Sequence, residues 1–265
     1  MSDDRPIGVF DSGLGGLCAV KELRRLLPDE NIVYFGDTGR VPYGSKSPQT
    51  IIKYARQDAE FLNKHDVKLI LAACGTVSAV ALDDIKNDFD VPMFGVVDDA
   101  VAAAVRATGS GRVAVIGTSA TIDSGVFTKK LLAAGIKDVV SKACPLFVQL
   151  VECGFTGRDN EITKAVCKTY LSQIKESGAD TLILGCTHFP LIADIISVFL
   201  PGVTLIDPAK ETAAHVAKYL FESGTKAEHG GGAEYYVSDD GASFSASAGL
   251  FLGGGEKITA TVVNI

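Results

Sequence analysis

Thr181-Leu-Ile-Leu-Gly-Cys-Thr-His-Phe-Pro-Leu-Ile192 is an apolar, β-type run that ends on a glycine and a cysteine before a second apolar segment begins. The same order occurs earlier, at Val67-Lys-Leu-Ile-Leu-Ala-Ala-Cys-Gly-Thr76. A short continuous apolar run bounded by turn formers reads as a strand buried on both faces, the kind found in parallel sheets covered by helices. The repeat of strand, thiol, turn and helix therefore predicts an α/β chain laid out in two similar halves. Cys74 and Cys186 fall at matching strand ends, and loops at the carboxyl ends of such strands are where α/β folds build their sites.

Working outward, each half also has an earlier turn. Strand 6–10 runs into Asp11-Ser-Gly-Leu-Gly-Gly16, after which helical spacing resumes over 17–27. In the second half Val115-Ile-Gly-Thr-Ser-Ala-Thr-Ile122 takes the equivalent place. The intervals from turn to cysteine are similar, 74 − 11 = 63 residues in the first half and 186 − 118 = 68 in the second. A glycine turn at a helix start offers backbone N–H groups to a carboxylate or phosphate, although a plain βα turn has the same look. It is neither a dinucleotide fingerprint nor a P-loop, and Gly109-Ser-Gly-Arg-Val-Ala114 precedes its strand instead of following it. Further strands are expected at 31–35, 91–97 and 203–207, and helices at 49–64, 78–88, 98–107, 160–177 and 209–222. The loop Gly36-Asp-Thr-Gly-Arg-Val-Pro-Tyr-Gly-Ser-Lys46 is rich in turn formers and offers Asp37, Tyr43, Gly44 and Ser45 to a substrate, with Asp37 equally suited to turn amides. After Gly230-Gly-Gly232 the tail, with a last strand at 259–265, is expected to complete the edge of the first sheet. The fold expected is thus α/β, with two pseudo-symmetric domains of mostly parallel sheets and an active site in the cleft between them. Residues 1–97 plus 209–265 would form the Cys74 side, and 98–208 the Cys186 side.

A chain of 265 residues with 47% apolar and 22% charged residues has ample material for a core. Its formal net charge of -7 and lack of Lys/Arg runs argue against nucleic acid or an anionic membrane surface as partner. There is no signal-peptide pattern at the start and no apolar run of the roughly 18 residues a membrane span needs, so a cytoplasmic location is expected. Six cysteines at irregular spacing, with no CxxC pair, suit free thiols better than a disulfide framework or a structural zinc site. No metal is expected. Cys18, Cys144, Cys153 and Cys167 read as inert small hydrophobes.

A cysteine between a strand end and a helix start faces the positive end of the helix dipole, which predicts a lowered pKa and an accessible thiolate. Two such thiols in symmetric positions suit an acid and a base on opposite faces of one substrate, the arrangement needed to invert a carbon by removing a proton from one side and delivering one to the other. Donors for the developing negative charge are available at Asp11-Ser12, Tyr43-Gly44, Gly75-Thr76 and Thr187-His188. His188 is placed to hydrogen-bond the Cys186 thiol or the substrate. Glu152, the one carboxylate in the apolar run 143–154, is either a cap or a buried functional acid.

Phe10-Asp-Ser-Gly-Leu-Gly-Gly16, Ala73-Cys-Gly-Thr76, Pro145-Leu-Phe-Val-Gln-Leu-Val-Glu152 and Leu184-Gly-Cys-Thr-His-Phe-Pro-Leu191, with the loop at 35–46 and the turn at 115–122, resemble the glutamate racemases of the aspartate/glutamate racemase superfamily. The resemblance covers nearly the whole chain and is weakest after about residue 222. It implies a cofactor-independent two-thiol mechanism and a supply of D-glutamate for bacterial cell-wall peptidoglycan. Cys74 would deprotonate D-glutamate and Cys186 L-glutamate, with Asp11, Glu152 and His188 assisting the thiols. Asp11, Ser12, Tyr43, Gly44, Gly75, Thr76, Thr121, Thr187 and His188 would hold substrate, and Thr118 matches the pattern less closely. The family usually carries asparagine directly after the first cysteine. This chain carries Gly75, which leaves only backbone there to meet the substrate's polar groups. That change keeps a racemase for another acidic amino acid, such as aspartate, as the second reading. A thiol-redox or binding module is the third, opposed by the missing CxxC spacing. Glutamate is the partner implied, and assembly as a homodimer is left open.

Overall fold

The structure is a computed structural model that describes residues 2–254 and 257–265. Strands β1 (Ile7–Asp11), β2 (Ile32–Gly36) and β3 (Leu69–Ala72) are buried along their whole length, as their uninterrupted apolar runs require. Helices α1 (Leu17–Leu26) and α2 (Pro48–Asn63) connect them, α2 starting on a Ser47 cap with Pro48 in its first turn. The stretch expected as one helix over 78–88 is two short ones, α3 (Gly75–Val80) and α4 (Leu82–Ile85), separated at Ala81. The strand expected at 91–97 is shorter, β4 (Met93–Gly95), and α5 (Val96–Ala107) follows at once. The reason is local: the Val96 N–H donates to Ser78 Oγ at 3.2 Å and leaves the sheet.

The second half runs β5 (Arg112–Gly117), α6 (Ser119–Asp123), α7 (Val126–Ala133), β6 (Asp138–Ala143), α8 (Leu146–Glu152), α9 (Glu161–Ser177), β7 (Thr181–Gly185), α10 (Ala193–Phe199) and β8 (Thr204–Ile206). The chain closes with α11 (Pro208–Ser223), β9 (Ala233–Val237), α12 (Gly241–Leu252) and β10 (Ala260–Val262).

Among the described residues the strands form two all-parallel sheets, ordered β10-β9-β2-β1-β3-β4 and β6-β5-β7-β8. In each sheet the strand that feeds the first turn lies beside the strand that feeds a cysteine. Phe10 is opposite Ala72 in one sheet, and Gly117 is opposite Gly185 in the other. The register therefore brings the 11–16 turn next to Cys74, and the 118–121 turn next to Cys186. A continuous core joins both sheets, including Leu71, Ile116, Leu184 and Val216. Helix α11 packs on both α1 and α5.

The tail returns to the first sheet, where β9 pairs with β2 and β10 lies outside it. A buried ion pair secures that return. Lys68 Nζ lies 2.6 Å from Glu30 and donates to the carbonyls of Asp3 and Thr225 at 2.6 and 2.9 Å, while the Ala227 N–H donates to Glu30 Oε1 at 2.8 Å. No helix among the described residues is long and apolar enough to cross a membrane.

Candidate active site

A cavity of about 350 Å³ lies where the loops after β1, β3, β5 and β7 converge. The first sheet supplies Ser12, Cys74, Gly75 and Thr76, with Tyr43 and Gly44 from the loop after β2. The second sheet supplies Thr118, Cys186, Thr187 and His188, and α8 adds Glu152. Cys74 and Cys186 are thus on one cavity wall system, 5% and 8% exposed.

Their surroundings differ. Cys74 is the N-cap of α3, and its Sγ–H points to Ser12 Oγ at 3.7 Å. Burial, followed by the nearby Asp11 charge, pushes this thiol up to about 12, against the smaller pull of the Val77 N–H and of Ser12. The lowered pKa expected from the helix dipole is therefore not found at Cys74. A helix of six residues gives a weak dipole, and removing the sulfur from solvent outweighs it.

Cys186 is followed by a turn and a short 3-10 helix, Phe189–Ile192, rather than directly by an α-helix. Its Sγ lies 3.8 Å from His188 Nδ1, and His188 Nε2 lies 3.0 Å from Glu152 Oε1. The imidazole is wedged edge-on against Phe251. Burial alone would lower the histidine, but the hydrogen bonds to Cys186 and Glu152 raise it to about 10. At neutral pH an imidazolium therefore stands between the sulfur and the carboxylate.

Asp11 and Thr121 stand behind the cavity wall. Asp11 is fully buried, accepts from the Gly13 N–H at 2.9 Å, and is raised by that burial. Thr121 joins Thr76 and Thr118 in a triangle of hydroxyls with edges of 2.9, 3.2 and 2.9 Å, which links the two sheets' loops directly. Thr118 also caps α6 by accepting from the Thr121 N–H.

The loop at 36–46 shows what Asp37 does. It is buried beneath Tyr43, accepts from the Tyr43 hydroxyl, and is met by Arg40 Nε at 2.6 Å and Ser238 Oγ at 2.8 Å. Asp58, from α2, lies 3.0 Å from the Tyr43 hydroxyl and 2.9 Å from Arg40 Nη2. Arg40 and Asp58 were not singled out from the sequence, yet they fix the side chain that the loop presents to the cavity. Gln149, on the wall one turn before Glu152, was also missed; its i,i+3 spacing from Glu152 is the signal that identifies it.

Cys144 and Cys167 are buried away from the cavity, and burial raises each to about 12. Cys18 is buried in α1 and Cys153 is exposed. Among the described residues no group of three or more His, Cys, Asp or Glu side chains could hold a metal ion.

Residues 18–216 match the profile of the family described as Asp/Glu/Hydantoin racemase. The chain is 44% identical to the glutamate racemase of Geobacter metallireducens over 254 residues, which cover 94% of this chain and 93% of that protein. It is 48% identical to the glutamate racemase of Chlorobaculum tepidum over 227 residues, covering 84% and 83%. Glutamate racemase from Francisella tularensis, solved in complex with D-glutamate, superposes with a TM-score of 0.92 at 38% identity over 99% of this chain and 98% of that one. Picrophilus torridus aspartate racemase, 18% identical with a TM-score of 0.59, shares the fold.

Proposed function

This chain belongs to the Asp/Glu/hydantoin racemase family and is an isomerase of the racemase kind, and from that premise we propose that it interconverts L- and D-glutamate with Cys74 and Cys186 as the two acid/base groups. The observation that carries the reading is the convergence of both cysteines, from equivalent strand ends of the two sheets, on one cavity.

In the direction from L- to D-glutamate, the Cys186 thiolate takes the Cα proton and the C–H electron pair remains on Cα, spread into the α-carboxylate. The Cys74 thiol, protonated at neutral pH, delivers its proton to the opposite face and becomes the thiolate. One proton leaves the substrate and one returns, so the enzyme ends with its two sulfurs exchanged in protonation. The imidazolium of His188 compensates the charge on Cys186 before transfer, and Glu152 holds the ring in place. Asp11, behind Cys74, assists that thiol on the other side. Ser12, Tyr43, Gly44, Gly75, Thr76 and Thr187 hold the substrate, with Thr121 supporting Thr76 from behind the wall.

The reaction needs no cofactor in this reading, and its product supplies peptidoglycan synthesis in the cytoplasm. The sheet membership of the strands supports a division into residues 1–97 plus 209–265 and residues 98–208. Incubation with L- or D-glutamate in deuterated water tests the proposal. Deuterium is expected at Cα together with loss of optical rotation, and aspartate in a parallel incubation is expected to remain unchanged. Absence of exchange with every amino acid tried would remove the racemase reading, and exchange with aspartate alone would replace the substrate. Cys74→Ala and Cys186→Ala are each expected to abolish inversion, while Cys144→Ala and Cys167→Ala retain it.

A further inference from the structure

Gly75 stands where the family pattern has asparagine, and the structure shows what fills the room. A Cβ built on Gly75 would lie 2.4 Å from the carbonyl oxygen of Gly185 and 3.2 Å from its carbonyl carbon. That oxygen cannot turn aside as a flexible side chain would. Gly185 is locked in register opposite Gly117, and a Cβ on Gly185 would itself lie 2.7 Å from the Ile116 carbonyl oxygen. Gly75 is held equally firmly, because the flanking Ala73 N–H donates to the Phe10 carbonyl at 2.9 Å and the Ser78 N–H donates to the Cys74 carbonyl at 2.9 Å. Two backbones, one directly after Cys74 and the other directly before Cys186, therefore touch with no side chain between them.

The contact recurs around the rim. A Cβ on Gly44 would meet Thr118 Cβ at 2.6 Å, and one on Gly15 would meet Thr187 Cβ at 2.7 Å. Each pair joins a loop of the first sheet to a loop of the second. Gly75 differs in that its partner is backbone and its neighbours in sequence are Cys74 and, across the contact, Cys186.

We propose that Gly75 is a positioning residue that sets the separation of the two thiols, by letting the Cys74 turn rest directly on the backbone of the Cys186 turn. With the Gly185 backbone placed as it is in this chain, a side chain on Gly75 forces the two turns apart. Inversion needs both sulfurs within reach of one Cα, and a reacting distance lengthened by even a fraction of an ångström is costly. Removal and return of a proton by one sulfur needs only that sulfur. The absent side chain thus exchanges an amide that could hold substrate for a shorter span between acid and base. This inference rests on the two-thiol racemase reading.

The test compares Gly75→Ala and Gly75→Asn with the wild type, and with Gly249→Ala as a control in a position where an added Cβ meets nothing within 4 Å. Crystal structures of the wild type and Gly75→Ala give the sulfur-to-sulfur separation without reference to activity. A longer separation in the variant is expected, and an unchanged one overturns the proposal. In deuterated water, inversion is expected to fall by about ten-fold or more in kcat in the Gly75 variants. Deuterium entering with retained configuration is expected to fall less, so the ratio of exchange to inversion rises. Exchange and inversion falling in parallel, or a wild-type ratio, overturns it too. A wild type that inverts no amino acid would count against the racemase reading, while the crystallographic comparison would still decide whether Gly75 sets the spacing. If Gly75→Asn does not fold, Gly75→Ala carries both measurements.

Discussion

His188 carries an unusual burden for a buried side chain, because it is charged in a place that disfavours charge. The bonds to Cys186 and Glu152 hold it at about 10 against an ordinary value of 6.5. A group raised on folding contributes stability that is complete below about pH 6.5 and is lost as pH climbs through about 10. Glu152→Gln weakens one of the two supports. Its deficit in urea-unfolding stability relative to wild type is therefore expected to be complete at about pH 6.5 and to vanish as pH climbs past about 10. The alkaline limb of the pH–rate profile should move to lower pH in the same variant. Cys74 acts in the same direction at higher pH: its folded value near 12 against 9.0 means that the unfolded chain loses this proton first, so stability falls further between them. The two thiols were legible in the sequence because the strand-thiol order repeats. The protonation of Cys74 was not, since burial outweighs the helix dipole there and burial is a property of the packed molecule. Arg40 and Asp58 were likewise invisible: one reads as a loop charge and the other as the polar side of an amphipathic helix, and only the fold sets them under Tyr43.

Secondary-structure elements were legible in proportion to how completely they are buried. β1, β2, β3 and β7, buried at every position, are plain apolar runs. β6 went unnoticed because Asp138-Val-Val-Ser-Lys-Ala143 is a partly exposed edge strand with three polar residues. α12 is not marked as a helix by its sequence, since Gly241-Ala-Ser-Phe-Ser-Ala-Ser-Ala-Gly-Leu-Phe-Leu252 is mostly small residues without helical contrast between faces. That composition leaves room for improvement. Gly249 lies inside α12 with open space beside it, so Gly249→Ala is expected to raise stability by about 0.5–1 kcal/mol in urea titration. At the other end of the scale, Asn160 caps the long helix α9 by accepting from the Thr163 N–H at 3.0 Å. Asn160→Ala is expected to cost about 1 kcal/mol with racemisation unchanged, measured by the same titration alongside an activity assay.

Across the whole molecule, the chain leaves the first sheet after β4, builds the second, and comes back, so the first sheet depends on residues from both ends. The Lys68–Glu30 pair marks the closure, since it gathers the N-terminal segment, β3 and the loop after α11 at one buried point. Lys68→Met leaves Glu30 buried without its counter-charge and is expected to cost about 3–5 kcal/mol, read from the urea midpoint. Lys68→Met combined with Glu30→Gln should recover most of that loss, because the amide oxygen still accepts from Ala227 without a charge to neutralise. The pairing of β9 with β2 also sets a timetable for synthesis. Ile32-Val-Tyr-Phe-Gly36 leaves the ribosome early, but its outer hydrogen-bonding edge has no partner until residues 233–237 have been made. From residue 36 until residue 233 is made, the nascent chain carries an open apolar strand edge, the feature that most invites pairing with another copy. Any message truncated in the last stretch of coding sequence would therefore yield a chain with both cysteines in place and an adhesive flank.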